Sequence, residues 1–373
     1  MTRTEGTART EGTTGTLRRE QVAGRPPLRV GPFSGVWRPR MITVTVVGLV
    51  LLVLMAAVNI GRGDFPISVG EVLSVLLGGG DRADQFIVLE LRLPRTLTGV
   101  LVGAALGMSG AILQAIARNP LASPDFLGFT AGASAAAVTV IVLGGTYGAV
   151  GATLATVGIP IAALVGGLGA AALVYALAWR RGIEGYRLVL VGIGMDAVFR
   201  AIISWMLVIA QIYAAAQATV WLIGSLNGRG WEQVVPVALA LGVLVPVALL
   251  LAFGLGALQF GDDTARGLGL RVNRTRSALI VVAVVLAAVA ASSAGPIVFV
   301  ALVVPQICQR LIGAARPPLL TSAVYGALLT VTADLIARTV LGSELPVGIV
   351  TAVLGAPYLL YLLARRNRKV SAA

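Results

Sequence analysis

Two charged pairs lie inside otherwise apolar stretches and are the first candidates for chemistry. Asp196 precedes Arg200 by four residues, and Asp334 precedes Arg338 by four. This spacing places both members of a pair on one face of a helix. A charge at bilayer depth is costly, so each pair should face protein or water. A relay for protons or substrate is one interpretation. We favour a structural ion pair, because each charge has a neutralising partner.

The residue types that are missing exclude several kinds of enzyme and metal site. The chain has no histidine and one cysteine, Cys308. Serine–histidine catalysis, histidine-ligated metals, iron–sulfur clusters and internal disulfides are therefore excluded. The one lysine, Lys369, is followed by Val370, so the sequence contains no phosphate-binding P-loop. We therefore predict a chain that is not an enzyme and holds no metal or cofactor.

The composition indicates the class of structure that positions these residues. Of 373 residues, 57% are hydrophobic and only 12% are charged, whereas an ordinary soluble domain is about 25% charged. Because a helical span needs roughly 20 apolar residues, we predict an all-α, polytopic protein of the cell (inner or plasma) membrane, in contact with its lipid. About ten helices form a packed bundle. Candidate spans lie near 41–60, 97–117, 126–144, 150–178, 188–210, 233–254, 277–295, 297–314, 319–341 and 346–364.

The distribution of basic residues predicts the topology. The net charge is +13, of which residues 1–40 contribute +5 and residues 365–369 contribute +4. Because this charge lies beside apolar segments, it indicates orientation in a membrane rather than binding to nucleic acid. With both ends inside, 22 basic residues lie on the inner side and five on the outer side. An N-in, C-in arrangement follows.

Three regions follow from this pattern. Residues 1–36 are poor in large apolar groups and are predicted to be a disordered basic cytoplasmic tail. Residues 37–364 form the transmembrane domain, and 365–373 form a second basic cytoplasmic tail. Within the domain, Gly99, Gly103 and Gly107 recur every four residues, a pattern that lets helix backbones approach closely.

Two loops are candidates for contact with other proteins. The predicted outer loop, 61–96, contains Arg92 and Arg95 against the positive-inside trend. Contact with lipid headgroups and docking of a partner's carboxylates both remain open, the second because arginine binds carboxylates in a forked geometry. The inner loop, 259–276, is either a polar connector or carries a short surface helix that Gly269 ends.

Several blocks of sequence match one protein family. They are LRLPRT (91–96), GAALGMSGAILQ (103–114), NPLASPDFLG (119–128), DTARGLGL (263–270), GPIVFVALVVP (295–305), ADLIAR (333–338) and ELPVGIVTAVLGAP (344–357). Over about 41–364 the chain resembles the permease subunits of ATP-binding-cassette importers, of type II, for iron–siderophore complexes and vitamin B12. SPDFLGF (123–129) is more similar to the ferric-enterobactin kind. The family often has histidine after VVP, where this chain has Gln306.

The resemblance implies roles and partners. Two permease subunits would surround a central path lined by the helices at 188–210 and 346–364. Two ATPase subunits would use ATP and Mg²⁺, and a substrate-binding protein would dock outside. Arg92 and Arg95 would meet its glutamates. The coupling helix in an ATPase groove would consist of Asp262, Asp263, Thr264, Ala265, Arg266, Gly267, Leu268 and Gly269.

The sequence therefore predicts a permease that carries an intact ferric siderophore inward by alternating access. With no histidine, one cysteine and intramembrane carboxylates that are already paired, the path has no cluster of ligands suited to bare iron. Enterobactin-like permeases usually pair with a different sister subunit, so a heterodimer is favoured over a homodimer. A vitamin B12 or haem permease is the alternative within the same family.

Two alternatives come from other classes of protein. An ion-coupled secondary transporter would need an unpaired intramembrane acid. A membrane-embedded enzyme would need a catalytic cluster, which is absent.

Overall fold

The chain is described here by a computed structural model, which covers residues 27–30, 33–36, 38–63, 65–146, 157–179, 185–339 and 344–370. Apart from one short hairpin, the described elements are helices and the turns that join them. The hairpin pairs β1 (Pro27–Val30) with β2 (Phe33–Val36) in antiparallel register. It lies within the predicted tail, residues 1–36, most of which is outside the described residues, so the assignment of this tail stays a prediction.

Seven described helical runs are long and apolar enough to cross a membrane. One run of 36 residues, Arg82–Ala117, combines α3 (Arg82–Gln85), a π-helical segment (Phe86–Arg92) and α4 (Leu93–Ala117). The other six are α1 (Pro39–Gly61), α6 (Ile159–Ala178), α7 (Gly185–Ile209), α9 (Trp231–Leu250), α12 (Val272–Ala294) and α14 (Leu319–Thr339).

Shorter helices complete the described bundle. Four are apolar over 10–17 residues: Phe129–Gly144, Ile212–Ile223, Val300–Ile312 and Val347–Tyr361. They belong to α5 (Phe129–Thr146), α8 (Ile212–Ile223), α13 (Val300–Ile312) and α15 (Val347–Val370). The remaining ones are α2 (Val69–Leu76), α10 (Ala252–Leu258) and α11 (Asp262–Gly267).

The predicted spans and the observed helices largely coincide. Each of the ten predicted spans contains a described helix, but in α5, α13 and α15 the described apolar run is only 10–17 residues long, and α8 was not predicted at all. The polytopic helical class is therefore confirmed, whereas the number ten remains a prediction. At the carboxyl end, α15 continues to Val370, so the predicted tail at 365–373 begins as an extension of this helix.

Helix α4 lies at the centre of the bundle and packs against α9, α12, α13 and α14. Gly103 and Gly107 face α14 so closely that a Cβ atom on either would overlap a backbone carbonyl, that of Gly326 or of Ser322. Gly99 lies one turn earlier, with Leu226 at 3.0 Å from the position of a Cβ atom. Backbone-to-backbone packing of this kind suits a bilayer, where no hydrophobic force drives helices together.

Three other glycines bring helix ends together. Gly224 ends α8, Gly295 follows α12, and Gly348 lies in the first turn of α15. A Cβ atom on Gly224 would meet Pro296, one on Gly295 would meet the Trp221 carbonyl, and one on Gly348 would overlap the Ile223 carbonyl. Gly224 and Gly295 also have positive φ angles, of 77° and 73°, which glycine adopts without strain. We call this contact the glycine junction.

Candidate functional site

The two arginines predicted to dock a binding protein are both buried, each 8% exposed. Arg92 ends the π-helical segment and donates to two backbone carbonyls, Ile60 O at 2.9 Å and Phe65 O at 2.6 Å. The bond to Ile60 satisfies a carbonyl at the C-terminal end of α1 that has no partner within the helix. The bond to Phe65 connects the loop after α1 to the start of α4. In this conformation Arg92 supports the loop that follows α1.

Arg95 is held by charged groups from distant parts of the chain. Its Nη2 lies 2.9 Å from Asp334 Oδ1 on α14, and its Nε donates to the same oxygen at 3.2 Å. Its Nη1 lies 3.5 Å from both Asn227 Oδ1 and Glu344 Oε1. Asn227 follows α8 and Glu344 precedes α15. Arg95 therefore joins the centre of the bundle to the loops at the ends of two other helices.

The predicted Asp334–Arg338 pair is part of this larger network. Arg338 Nε is 3.5 Å from Asp334 Oδ2, farther than Arg95 is from Oδ1. Asn59 donates to Asp334 Oδ2 at 3.1 Å and accepts from Arg338 through its carbonyl at 2.7 Å and its side chain. Asp334 is 1% exposed, so its charge depends on all of these donors.

The second predicted pair has a different environment. Arg200 Nε donates to Asp196 Oδ2 at 2.7 Å within α7, and the Arg200 side chain is 67% exposed. Asp125 lies in the loop before α5 and accepts from the Thr130 hydroxyl at 3.0 Å. Burial raises the pKa of Asp125 to about 6, against the lowering effects of Thr130, the Phe299 backbone N–H and Arg200. Arg200 thus acts electrostatically on two partly buried carboxylates, Asp196 and Asp125.

The predicted coupling helix corresponds to α11, although the helix ends at Gly267, and Leu268 and Gly269 form its terminating turn. Ala265 is fully buried beneath it. Asp262 anchors it through Arg276 at 2.7 Å and Arg118 at 3.7 Å. Asp263 pairs with Arg266 at 2.8 Å on the exposed side. The apolar side chain of Leu268 is 60% exposed, which gives this end of the bundle a surface for contact.

Gln306, which replaces the family's frequent histidine, pairs with another buried amide. Its Nε2 donates to Gln114 Oε1 at 2.5 Å, and Gln114 Nε2 donates to Leu302 O at 2.9 Å. Both side chains border a cavity of about 520 Å³ next to Phe260, which precedes α11. The position therefore holds neutral hydrogen-bonding groups between α4 and α13.

A cavity that sequence reasoning missed lies beside α8. Its volume is about 1110 Å³, and α8, the start of α9 and the 344–346 loop line it. Trp221, Trp231 and Arg229 are among its lining residues. Burial lowers the pKa of Arg229. With only 12 residues, α8 is too short for a search for spans. The polar residue Gln211, which lies between the apolar residues of α7 and those of α8, was the one feature of the sequence that could have indicated a separate helix.

No group of three or more His, Cys, Asp or Glu side chains within the described ranges is arranged to hold a metal ion. The charged groups that are present form ion pairs and backbone caps. Such an arrangement orients helices and can bind charged groups, whereas covalent catalysis would need a nucleophile and a base in contact.

Comparisons with known proteins agree with this architecture. The chain is 41% identical to the ferric enterobactin transport system permease protein of Escherichia coli over 332 residues, which are 88% of this chain and 98% of the relative. It is 38% identical to the iron(3+)-hydroxamate import system permease protein of Bacillus subtilis, over 87% and 97% of the two chains. The cobalamin import system permease protein of Halobacterium salinarum is 40% identical over 77% and 75%.

Among solved structures, a metal-chelate type ABC transporter in an inward-facing conformation superposes with a TM-score of 0.76 at 27% identity. The match covers 87% of this chain and 99% of that one. The sequence profile of the FecCD transport family matches residues 49–365. The chain therefore belongs to the FecCD transport family, as a multi-pass membrane permease that is not itself an enzyme.

Proposed function

We propose that this permease carries an intact ferric siderophore into the cytoplasm, in an importer driven by a separate ATPase. The observation that carries the proposal is the 41% identity to the ferric enterobactin permease over nearly the full length of both chains. The hydroxamate permease supports the same substrate class. A vitamin B12 permease is the second candidate, favoured by the cobalamin relative, whose match covers less of each chain.

Iron is proposed to cross while still bound to its chelator. Removing iron from a siderophore requires competing ligands or a reductant, and transition metals prefer clustered nitrogen, sulfur or carboxylate donors. The described residues contain no such cluster. The permease would therefore supply a shaped path that opens alternately to each side, while ATP binding elsewhere shifts the balance between the two states.

The proposed assembly follows the family. A second, different permease subunit would complete the path, two ATPase subunits would bind inside, and a binding protein would dock outside. The excess of arginine and lysine on one side supports an N-in, C-in orientation. Docking at Arg92 and Arg95 remains a proposal. Because both side chains are buried, they would act mainly by holding the outer surface in shape.

The test uses the complete importer in proteoliposomes, with iron and siderophore carrying different radioactive labels. We expect both labels to enter in a constant ratio, and only when the ATPase subunits hydrolyse ATP. Entry of iron without its ligand would contradict passage of the intact chelate. Uptake driven by an ion gradient without the ATPase would favour a secondary transporter, and uptake of cobalamin alone would favour the second candidate.

We propose that α11 is the coupling helix, and substitution of Leu268 tests this. Leu268→Asp should leave the bundle folded, because the side chain is 60% exposed. It should lower copurification of the ATPase subunits and abolish most ATP-driven uptake, since a charge would replace an apolar contact. Leu77→Asp, also at an exposed leucine but on the predicted outer side, is the matched control. Equal ATPase binding by both variants would argue against α11.

A further inference from the structure

Arg200 is unusually exposed for a charged residue inside a membrane helix. It lies within α7, away from both ends of the Gly185–Ile209 helix, and its side chain is 67% exposed. Exposed apolar residues, Ile193 and Val198, lie on the same helix. A guanidinium at this depth is costly against hydrocarbon, so its surroundings in the assembled protein must be water or protein.

The carboxylates next to Arg200 orient it without covering it. Asp196 accepts a hydrogen bond from Nε only, at 2.7 Å. Within the described part of the chain, neither Nη atom of Arg200 has a hydrogen-bond partner. An arginine held at Nε still has both terminal nitrogens available, the arrangement that binds paired anionic oxygens.

The layer beneath the pair holds it in place. Gly128, at the end of the loop that contains Asp125, approaches the α7 backbone so closely that a Cβ atom would lie 3.0 Å from Asp196 N. Asp125 in turn is bound by Thr130. Asp196 Oδ1 is buried with no hydrogen-bond partner in the described ranges. The acids thus lie on the protein side of the cluster, and the cation is its most exposed member.

We infer that Arg200 is a cargo-contacting residue, which binds the anionic oxygens of an iron chelate as it passes α7. This rests on the proposed function, and it adds a preference for charge. An anionic chelate gains a charged hydrogen bond at Arg200, whereas a neutral chelate gains little. The Asp196–Arg200 pair, which the sequence favoured as a structural ion pair, then also serves transport. Asp196 holds Arg200 in position, and Arg200 contacts the cargo.

The experiment measures binding to the purified permease–ATPase complex. The probes are two ferric complexes built on one tripodal scaffold, a trianionic tris-catecholate and an uncharged tris-hydroxamate. Arg200→Gln should weaken binding of the trianion about tenfold, as expected for loss of one charged hydrogen bond, and change the neutral complex less than about twofold. Arg200→Lys should retain part of the preference. Arg274→Gln, at an exposed cytoplasmic-side arginine of α12, is the control with equal net charge.

Each other result would overturn the inference. Equal affinities before and after the change, or equal losses for both chelates, would mean that Arg200 does not recognise charge. Loss of the permease dimer in Arg200→Gln, seen by size-exclusion chromatography, would assign the guanidinium to the subunit interface. A wild-type importer that takes up cobalamin and neither ferric chelate would refute the proposed function itself. By contrast, normal uptake of the trianionic ferric chelate by Arg200→Gln would refute only this site.

Discussion

Arg95→Ala should strongly destabilise the permease. Asp334 is 1% exposed and would lose its nearest cation, the Arg95 Nη2 at 2.9 Å. Breaking a buried ion pair costs about 3–5 kcal/mol, because the remaining charge is left unsolvated. We expect the lower end of this range, since Asn59 and Arg338 still contact Asp334. Thermal denaturation of the purified protein in detergent measures the change.

Two further variants separate a structural role from a docking role. Arg62→Ala removes an exposed arginine directly after α1 and should leave the stability nearly unchanged. The double variant Arg95→Gln, Asp334→Asn replaces the ion pair by two amides and should recover much of the lost stability. If this double variant folds and binds the binding protein with normal affinity, the docking proposal for Arg95 is refuted. If it folds but docks weakly, that proposal gains support.

Gly107→Val should prevent normal packing of α4 against α14. A Cβ atom at Gly107 would overlap the Ser322 carbonyl, and both helices lie in the interior of the bundle. Overpacking typically costs about 1–3 kcal/mol. We expect about 3 kcal/mol or more here, because a backbone rather than a flexible side chain must move. Yield of monodisperse protein and thermal denaturation in detergent report the effect.

Gly242→Val is the matched control for this prediction. Gly242 also lies inside a long apolar helix, α9, but nothing lies within 4 Å of the position of its Cβ atom. Valine there should be accepted with little change in stability. Similar losses for both variants would indicate that valine is harmful in any of these helices, and the close approach of α4 and α14 would not be the cause.

Much of the architecture could be predicted, because a membrane-spanning helix requires about 20 consecutive apolar residues and such runs are visible in the sequence. The apolar runs near 41–60, 97–117 and 319–341 coincide closely with α1, α4 and α14. The glycine spacing likewise indicated a face suited to close packing, though not that α14 would be the neighbour. Which helix packs against a given face depends on the whole fold, and the residue spacing within one segment does not determine it.

The environment of the charged residues could not be predicted for the same reason. Spacing of four residues assigned Arg338 to Asp334, yet the shorter contact comes from Arg95, 239 positions away in sequence. Arg92 and Arg95 were expected at the surface because they lie in a polar loop of the sequence, whereas helix formation through residues 82–117 draws them inward. Asp196 and Arg200 do pair as their spacing suggested, but no pattern in the sequence indicated that the Arg200 side chain is exposed.

The glycine junction has a mechanical consequence. At Gly224, Gly295 and Gly348 the contacts are between main chains, and a main chain has no rotamers with which to absorb a displacement. Ser225 N also bonds Ala294 O at 2.8 Å, and Gly348 N bonds Gly224 O at 3.1 Å. A tilt of α8 therefore carries the first turn of α15 with it. The ends of α8, α12 and α15 should therefore move together about this junction. Any larger residue at one of these glycines requires the backbone that contacts it to shift.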